Sequence, residues 1–100
     1  DRAVGDYYRV PGGVTHINRG VFSGCKSLCK IDFGDVTYID KSSFTNCMGL
    51  TELYIPDTVT YIGEWVFSYC RNLRKISINK HTFIDKNAFN ECPVTVEWRG

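Results

Sequence analysis

A phenylalanine and a cysteine, three residues apart, recur four times along the chain at almost constant spacing. The phenylalanines are Phe22, Phe44, Phe67 and Phe89, and the cysteines are Cys25, Cys47, Cys70 and Cys92. Both sets step by 22, 23 and 22 residues. Further columns keep the same phase. Val14-Thr15-His16-Ile17 returns as Val36-Thr37-Tyr38-Ile39, as Val59-Thr60-Tyr61-Ile62 and as His81-Thr82-Phe83-Ile84. Leu28, Ile31 and Phe33 return as Leu50, Leu53 and Ile55, then as Leu73, Ile76 and Ile78. A fixed period of this length leaves little choice of architecture. Each period is one small unit that cannot bury its own apolar face, and stacking the units gives a continuous core.

The unit can be read residue by residue. Its Leu-x-x-Ile-x-Ile stretch ends in apolar and polar alternation, the pattern of a half-buried strand with Ile31 and Phe33 inward and Lys30 and Asp32 outward. Turn-forming residues follow: Gly34-Asp35, Pro56-Asp57 and Asn79-Lys80, with Pro11-Gly12-Gly13 ahead of the first copy. Val-Thr-x-Ile is a second short extended piece. Asn18, Asp40, Gly63 and Asp85 come next, all residues preferred at helix N-caps. The Phe and Cys three apart then share one face of a helical turn. The expected unit is strand, turn, extended piece, capped helical turn. Tyr8 and Val10 align with Ile31 and Phe33, so residues 1–10 read as the remnant of a preceding repeat or an N-terminal cap. The four repeats fall at about 11–33, 34–55, 56–78 and 79–100 of a single domain over 1–100. Pro93, a missing residue before Val94, and Trp98 make the last repeat atypical, as terminal repeats are.

The pattern V-T-x-I-x-x-x-x-F-x-x-C-x-x-L-x-x-I-x-I resembles the BspA-like leucine-rich repeat of microbial surface proteins, over about residues 6 to 100. The resemblance implies a right-handed α/β repeat solenoid with short parallel strands, short helical turns and about four coils. It also implies a cell-surface or secreted setting and attachment to host or extracellular-matrix proteins or to other microbes. A glycan ligand is a further candidate.

Composition narrows the function from the other side. Twelve basic and 11 acidic side chains leave a net charge of +1, which supplies no field for steering nucleic acid or an anionic membrane. No apolar run approaches the length of a membrane span. The chain starts at Asp1 without a Met and shows no signal peptide, so it reads as a trimmed or mature fragment.

The in-phase cysteines Cys25, Cys47, Cys70 and Cys92 read as a ladder of buried thiols acting as small hydrophobes beside the phenylalanines. Equivalent side chains on stacked coils point in parallel, with Cβ atoms about a rung apart, which does not suit a disulfide. Ligands spread along an axis do not converge on a metal. Cys29 lies off the column and is the candidate for an exposed, reactive thiol. Free buried thiols are unusual in oxidising surroundings, which counts against the surface setting, although burial protects them. His16 and His81 lie nine and 11 residues before Cys25 and Cys92, on the extended piece. An inward-facing Cys gives such a His no nucleophile to activate. Gly12-Gly13 lacks the frame of a phosphate loop. No enzyme and no cofactor are expected.

Two outward columns run along the strand face. Lys30, Glu52, Lys75 and Thr95 form one; Asp32, Tyr54, Ser77 and Glu97 form its neighbour, with Arg9 beside them. The simplest role for them is a solvated face with charge pairs between rungs, worth a few tenths to about 1 kcal/mol each. Solenoids also bind partners on such a face, which makes Lys30, Asp32, Glu52, Tyr54, Lys75, Ser77 and Glu97 the candidate binding residues. A third column, His16, Tyr38, Tyr61 and Phe83, either stacks ring on ring along the axis or forms an exposed aromatic stripe roughly 15 Å long. Thr15, Thr37, Thr60 and Thr82 beside it read as a hydrogen-bonding ladder. Tyr7 and Trp65 are solitary exposed-aromatic candidates. The leading expectation is a non-catalytic binding module. Its rival is a structural spacer or ancillary domain of a larger surface protein or enzyme.

Overall fold

The computed structural model describes residues 6–100, so residues 1–5 of the expected N-terminal remnant lie outside the described residues. Among the described residues nine short strands follow in order: β1 (Tyr7–Arg9), β2 (His16–Ile17), β3 (Lys30–Asp32), β4 (Tyr38–Ile39), β5 (Glu52–Tyr54), β6 (Tyr61–Ile62), β7 (Lys75–Asn79), β8 (Phe83–Ile84) and β9 (Thr95–Arg99). All pairings are parallel. The Val-Thr-x-Ile pieces build one four-stranded sheet, β2-β4-β6-β8. Its register sets His16 beside Tyr38, Tyr38 beside Tyr61 and Tyr61 beside Phe83. The alternating strands build β1-β3 and β5-β7-β9. Tyr8 pairs with Ile31 and Val10 is buried, the placement that their alignment with Ile31 and Phe33 implies.

The segment leading to each Cys differs from expectation: among the described residues it contains no helix. In the second coil the N–H groups of Ser43, Thr45 and Cys47 donate locally to the carbonyls of Asp40, Ser42 and Phe44. The intervening N–H groups of Ser42, Phe44 and Asn46 donate across to Glu64, Val66 and Ser68 of the next coil, at 3.0, 3.0 and 2.8 Å. Gly20, Phe22 and Gly24 bond in the same way to Lys41, Ser43 and Thr45. An α-helix would satisfy these donors within its own segment and leave the coils unjoined on this side. Successive three-residue turns spare every second N–H for stacking, so turns replace the helix. Asp85 still acts as a cap, its Oδ1 accepting from the Asn87 N–H at 2.8 Å.

The core fills the interior of the stack. Leu28, Phe33, Val36, Ile39, Phe44, Leu50, Ile55, Ile62, Phe67, Leu73, Ile76 and Ile78 are all but sealed from solvent. Phe22, Phe44, Phe67 and Phe89 form a ring stack with centroid spacings of 5.2, 5.6 and 5.5 Å and interplanar angles of 12° or less. Parallel strands in register put identical residues one rung apart, which forces this arrangement. Burial of a large apolar side chain contributes about 1.5–3 kcal/mol, so the middle rungs carry most of the stability. Ile84, Phe89, Cys92, Val94 and Val96 of the last coil are only partly buried.

Gly49 marks where the first two coils touch. A Cβ built there would lie 2.5 Å from the Leu28 carbonyl oxygen and 2.7 Å from that of Lys26, so the position admits only glycine without backbone movement.

Candidate functional site

The strand face is divided. β3 and β5 are neighbours, yet they share no ladder, and the sheets β1-β3 and β5-β7-β9 end at this seam. Elsewhere the strand entries are tied to the preceding coil: Cys29 and Lys30 donate to the Asp6 carbonyl, Arg74 and Lys75 to that of Thr51, and Thr95 to that of Arg74. Among the described residues no such bond joins Thr51 or Glu52 to the first coil. The inward residues flanking the seam, Ile31 and Leu53, are 9% and 7% exposed, whereas Ile76 one rung on is 0% exposed. A depression of about 420 Å³ opens over the seam, lined by Tyr7, Lys30, Glu52, Tyr54, Lys75 and Ser77 above the floor of Ile31 and Leu53. A second, of about 300 Å³, continues it past Asp32, Phe33 and Tyr54 to Pro56.

Five of the seven candidate binding residues, Lys30, Glu52, Tyr54, Lys75 and Ser77, therefore share one depression. Asp32 lines the adjoining one. Glu97 borders the group through an ion pair with Lys75 at 3.6 Å. All are exposed except Ser77, which is half-buried. The charge pairing differs from the expected run down the column. Lys75 pairs diagonally with Glu97, and Arg9 pairs with Asp32 at 3.7 Å. Glu52 lies beside Lys75 in register but forms no ion pair with it among the described residues. Lys30 and Glu52, on either side of the seam, form no ion pair with each other among the described residues, and both line the depression as a cation and an anion.

Arg99 also belongs to this face, although it shares no repeating column with charged residues of other coils. Its guanidinium donates to Ser77 Oγ at 2.7 Å, to the Ile55 carbonyl at 2.6 Å and to Asp57 Oδ1 at 2.6 Å, and lies 4.2 Å from the Tyr54 ring centroid. It ties the last strand across two rungs and orients Tyr54. The Arg99 hydrogen bond, then that from Asn79, holds the Asp57 carboxyl below its ordinary range.

The aromatic column is a stack. His16–Tyr38, Tyr38–Tyr61 and Tyr61–Phe83 centroids lie 5.0, 4.5 and 5.4 Å apart. The two tyrosines are half-buried, and the terminal rings His16 and Phe83 are exposed. Ring faces are thus engaged along the axis. The threonines beside them bond from rung to rung through backbone carbonyls: Thr37 Oγ1 donates to Thr15 at 3.3 Å, Thr60 Oγ1 to Thr37 at 3.2 Å and Thr82 Oγ1 to Val59 at 2.9 Å.

Cys25, Cys47 and Cys70 are buried, Cys92 is half-buried and Cys29 is exposed; all are free thiols. Cys47 Sγ donates to the Phe22 carbonyl at 3.0 Å and Cys70 Sγ to that of Phe44 at 3.1 Å. Burial, the largest cause, pushes the thiols of Cys47, Cys70 and Cys92 up to about 12, 11 and 12. Such groups stay protonated at neutral pH and make poor nucleophiles. The His16 ring meets Thr15 and Tyr38. Among the described residues no group of three or more His, Cys, Asp or Glu side chains could hold a metal ion, and no helix is long and apolar enough to cross a membrane.

A stack of coils built from short parallel strands around a Leu, Ile and Phe core, repeating every 22 to 23 residues, defines a leucine-rich-repeat solenoid. The profile described as "BspA type Leucine rich repeat region (6 copies)" matches residues 6–96, and the chain belongs to that family. Among solved structures the fold is similar to that of a leucine rich cell surface protein from Faecalibacterium prausnitzii A2-165. The TM-score is 0.75 and the identity 23%, with 95% of this chain and 32% of that one covered. The chain thus spans about a third of the length of that protein. No curated protein matches it.

Proposed function

We propose that the chain is a non-catalytic recognition module that binds a protein partner through the divided strand face, in the setting of microbial surface adhesion. The observation that carries this reading is the seam between β3 and β5, around which Lys30, Glu52, Tyr54, Lys75 and Ser77 line a single depression. It combines an exposed aromatic anchor, charges of both signs, and strand backbone whose hydrogen-bonding groups are not shared with a neighbour. An extended segment of a partner can use such backbone groups for affinity and the flanking side chains for selectivity. Aromatic residues are also enriched where interfaces concentrate their binding energy. The cell-surface description of the similar Faecalibacterium protein and the BspA-type family support an extracellular or surface location and a host or matrix protein as partner. The buried, protonated thiols of Cys47 and Cys70 support a role without catalysis.

A screen against immobilised extracellular-matrix proteins tests this reading. It compares the chain with a variant carrying Glu52→Ala, Tyr54→Ala and Lys75→Ala together. The expected result is a specific signal that the variant loses while its circular dichroism is unchanged. Absence of any specific signal from the parent chain would instead favour a spacer or ancillary role within a larger surface protein.

A further inference from the structure

The turn segments hold a second arrangement that neither the core nor the strand face explains. Two positions in each segment line up from coil to coil: Gly20, Ser42, Trp65 and Asn87, and Gly24, Asn46, Tyr69 and Glu91. In the first three coils both positions take left-handed backbone, with φ of 71° and 75° at Gly20 and Gly24, 60° and 62° at Ser42 and Asn46, and 61° and 60° at Trp65 and Tyr69; in the fourth coil Glu91 takes it too, at 58°. Glycine and asparagine suit this conformation. A bulky residue there is an outlier, and such strain concentrates at ligand-binding positions. The third coil alone places two large aromatics on these strained positions. The core does not seal them in: Trp65 and Tyr69 remain 39% and 41% exposed.

Both aromatics line one depression of about 320 Å³, completed by Ser42, Thr45, Ser68 and Asn90. It shares no lining residue with the depressions over the strand seam. Its size falls at the lower end of small-ligand sites, about 300–1,000 Å³. Lys41 stands 5.0 Å from the Trp65 ring centroid and Arg71 stands 5.4 Å from that of Tyr69. Lys41 is in turn paired with Glu64 at 3.7 Å. These cations brace the rings, while the lining itself is neutral: three hydroxyls, one carboxamide and two aromatic side chains.

We propose that this depression binds a neutral oligosaccharide. A sugar ring has an apolar C–H face and a rim of hydroxyls, and the lining offers the complement of each. The faces of Trp65 and Tyr69 receive the C–H surface. Thr45 Oγ1 already donates to the Trp65 carbonyl at 2.7 Å and Ser68 is buried, so the Ser42 hydroxyl and the exposed Asn90 carboxamide supply the groups that meet the rim. An anionic ligand would find no charged side chain in the lining. A single strand of nucleic acid would need a basic groove along its backbone, whereas here Lys41 is paired with Glu64 and Arg71 is a single further cation beside Tyr69. The third coil thus adds a glycan site to the turn side, separate from the strand face.

The test uses Trp65 as its own reporter. Trp98→Phe leaves Trp65 as the sole tryptophan, and Trp98 lies on β9, outside the site. This protein is titrated with cellohexaose, maltohexaose, mannohexaose and the hexamer of N-acetylglucosamine, with decaproline in parallel, while the emission of Trp65 is followed. The expected result is a saturable spectral shift with at least one sugar. Adding Tyr69→Ala should weaken that affinity at least tenfold. By calorimetry, Trp65→Phe should retain part of the affinity that Trp65→Ala abolishes. Circular dichroism verifies the fold of each variant, and Trp65→Phe keeps the test open should Trp65→Ala fail to fold. The proposal is overturned if none of the four sugars gives a saturable shift, if the shift survives Tyr69→Ala undiminished, or if only decaproline binds.

Discussion

Replacing Cys47 with alanine should flatten the alkaline limb of the stability curve. Cys47 is fully buried, and burial lifts its thiol from an ordinary 9.0 to about 12. Between those values the unfolded chain releases the proton and the folded chain keeps it, so rising pH favours unfolding. Below pH 9 both states are protonated and the group's stability is fully present. It is lost as pH climbs from 9 towards 12. Each unit in that window costs about 1.4 kcal/mol per thiol, or about 2 kcal/mol at pH 10.5. Cys70 and Cys92 are raised to about 11 and 12 and add losses of the same sign in the same window. Urea unfolding followed by circular dichroism, under reducing conditions at about pH 8 and pH 10.5, measures the loss. Cys47→Ala gives up the contact of Sγ with the Phe22 carbonyl and starts lower at pH 8, so the comparison is between slopes. The variant should lose about 2 kcal/mol less than the parent across the interval. Equal losses in the two proteins would refute the argument that a buried, protonated thiol ladder governs alkaline stability.

Three further outcomes follow from the geometry. Phe44→Ala removes a ring stacked between Phe22 and Phe67 and should cost about 3–5 kcal/mol, read from denaturant midpoints at neutral pH. Gly49→Ala forces a Cβ against the Leu28 and Lys26 carbonyls and should lower the melting temperature, whereas alanine at the solvent-exposed Gly12, where no atom lies within 4 Å, should leave it nearly unchanged. In native protein a thiol reagent analysed by mass should modify Cys29 first, with Cys25, Cys47 and Cys70 reacting only after denaturant is added; early labelling of Cys47 or Cys70 would contradict their burial.

What the sequence displayed was everything that repeats. A column seen four times defines a face, so the inward Phe and Cys, the Thr ladder and the strand alternation are all legible in the sequence. Tyr8 and Val10 could be placed because they share a phase with Ile31 and Phe33. Features made by one coil acting on the next were harder to see. The turns are not helical because Ser42, Phe44 and Asn46 spend their N–H groups on the third coil, and no local preference encodes that demand. Lys75 finds Glu97 instead of Glu52 because side-chain reach and strand spacing, more than register, choose ion partners. Arg99 occupies a position with no charged counterpart in other coils, so it had no column to belong to. Trp65 and Tyr69 did leave a trace: they stand where the first two coils carry Gly20 and Ser42, and Gly24 and Asn46, all small or polar and three of them suited to left-handed backbone.

The seam between β3 and β5 can stay open because other contacts hold the first two coils together. The ladder β2-β4-β6-β8 passes through all four coils without a break. The turn side adds the bonds from Gly20, Phe22 and Gly24 to Lys41, Ser43 and Thr45, and the interior adds the Phe22–Phe44 stack. A lost strand ladder on the third side therefore removes only part of the attachment, in keeping with the nearest-neighbour energetics of solenoids. Backbone groups and the side chains of Lys30, Glu52 and Tyr54 are left available without exposing more than the margins of Ile31 and Leu53. The same division explains why substitutions at Glu52, Tyr54 and Lys75 should leave the fold intact, whereas a change at Phe44 should not. Stability in this chain resides in the core and on the two joined sides, and the third side carries less of it.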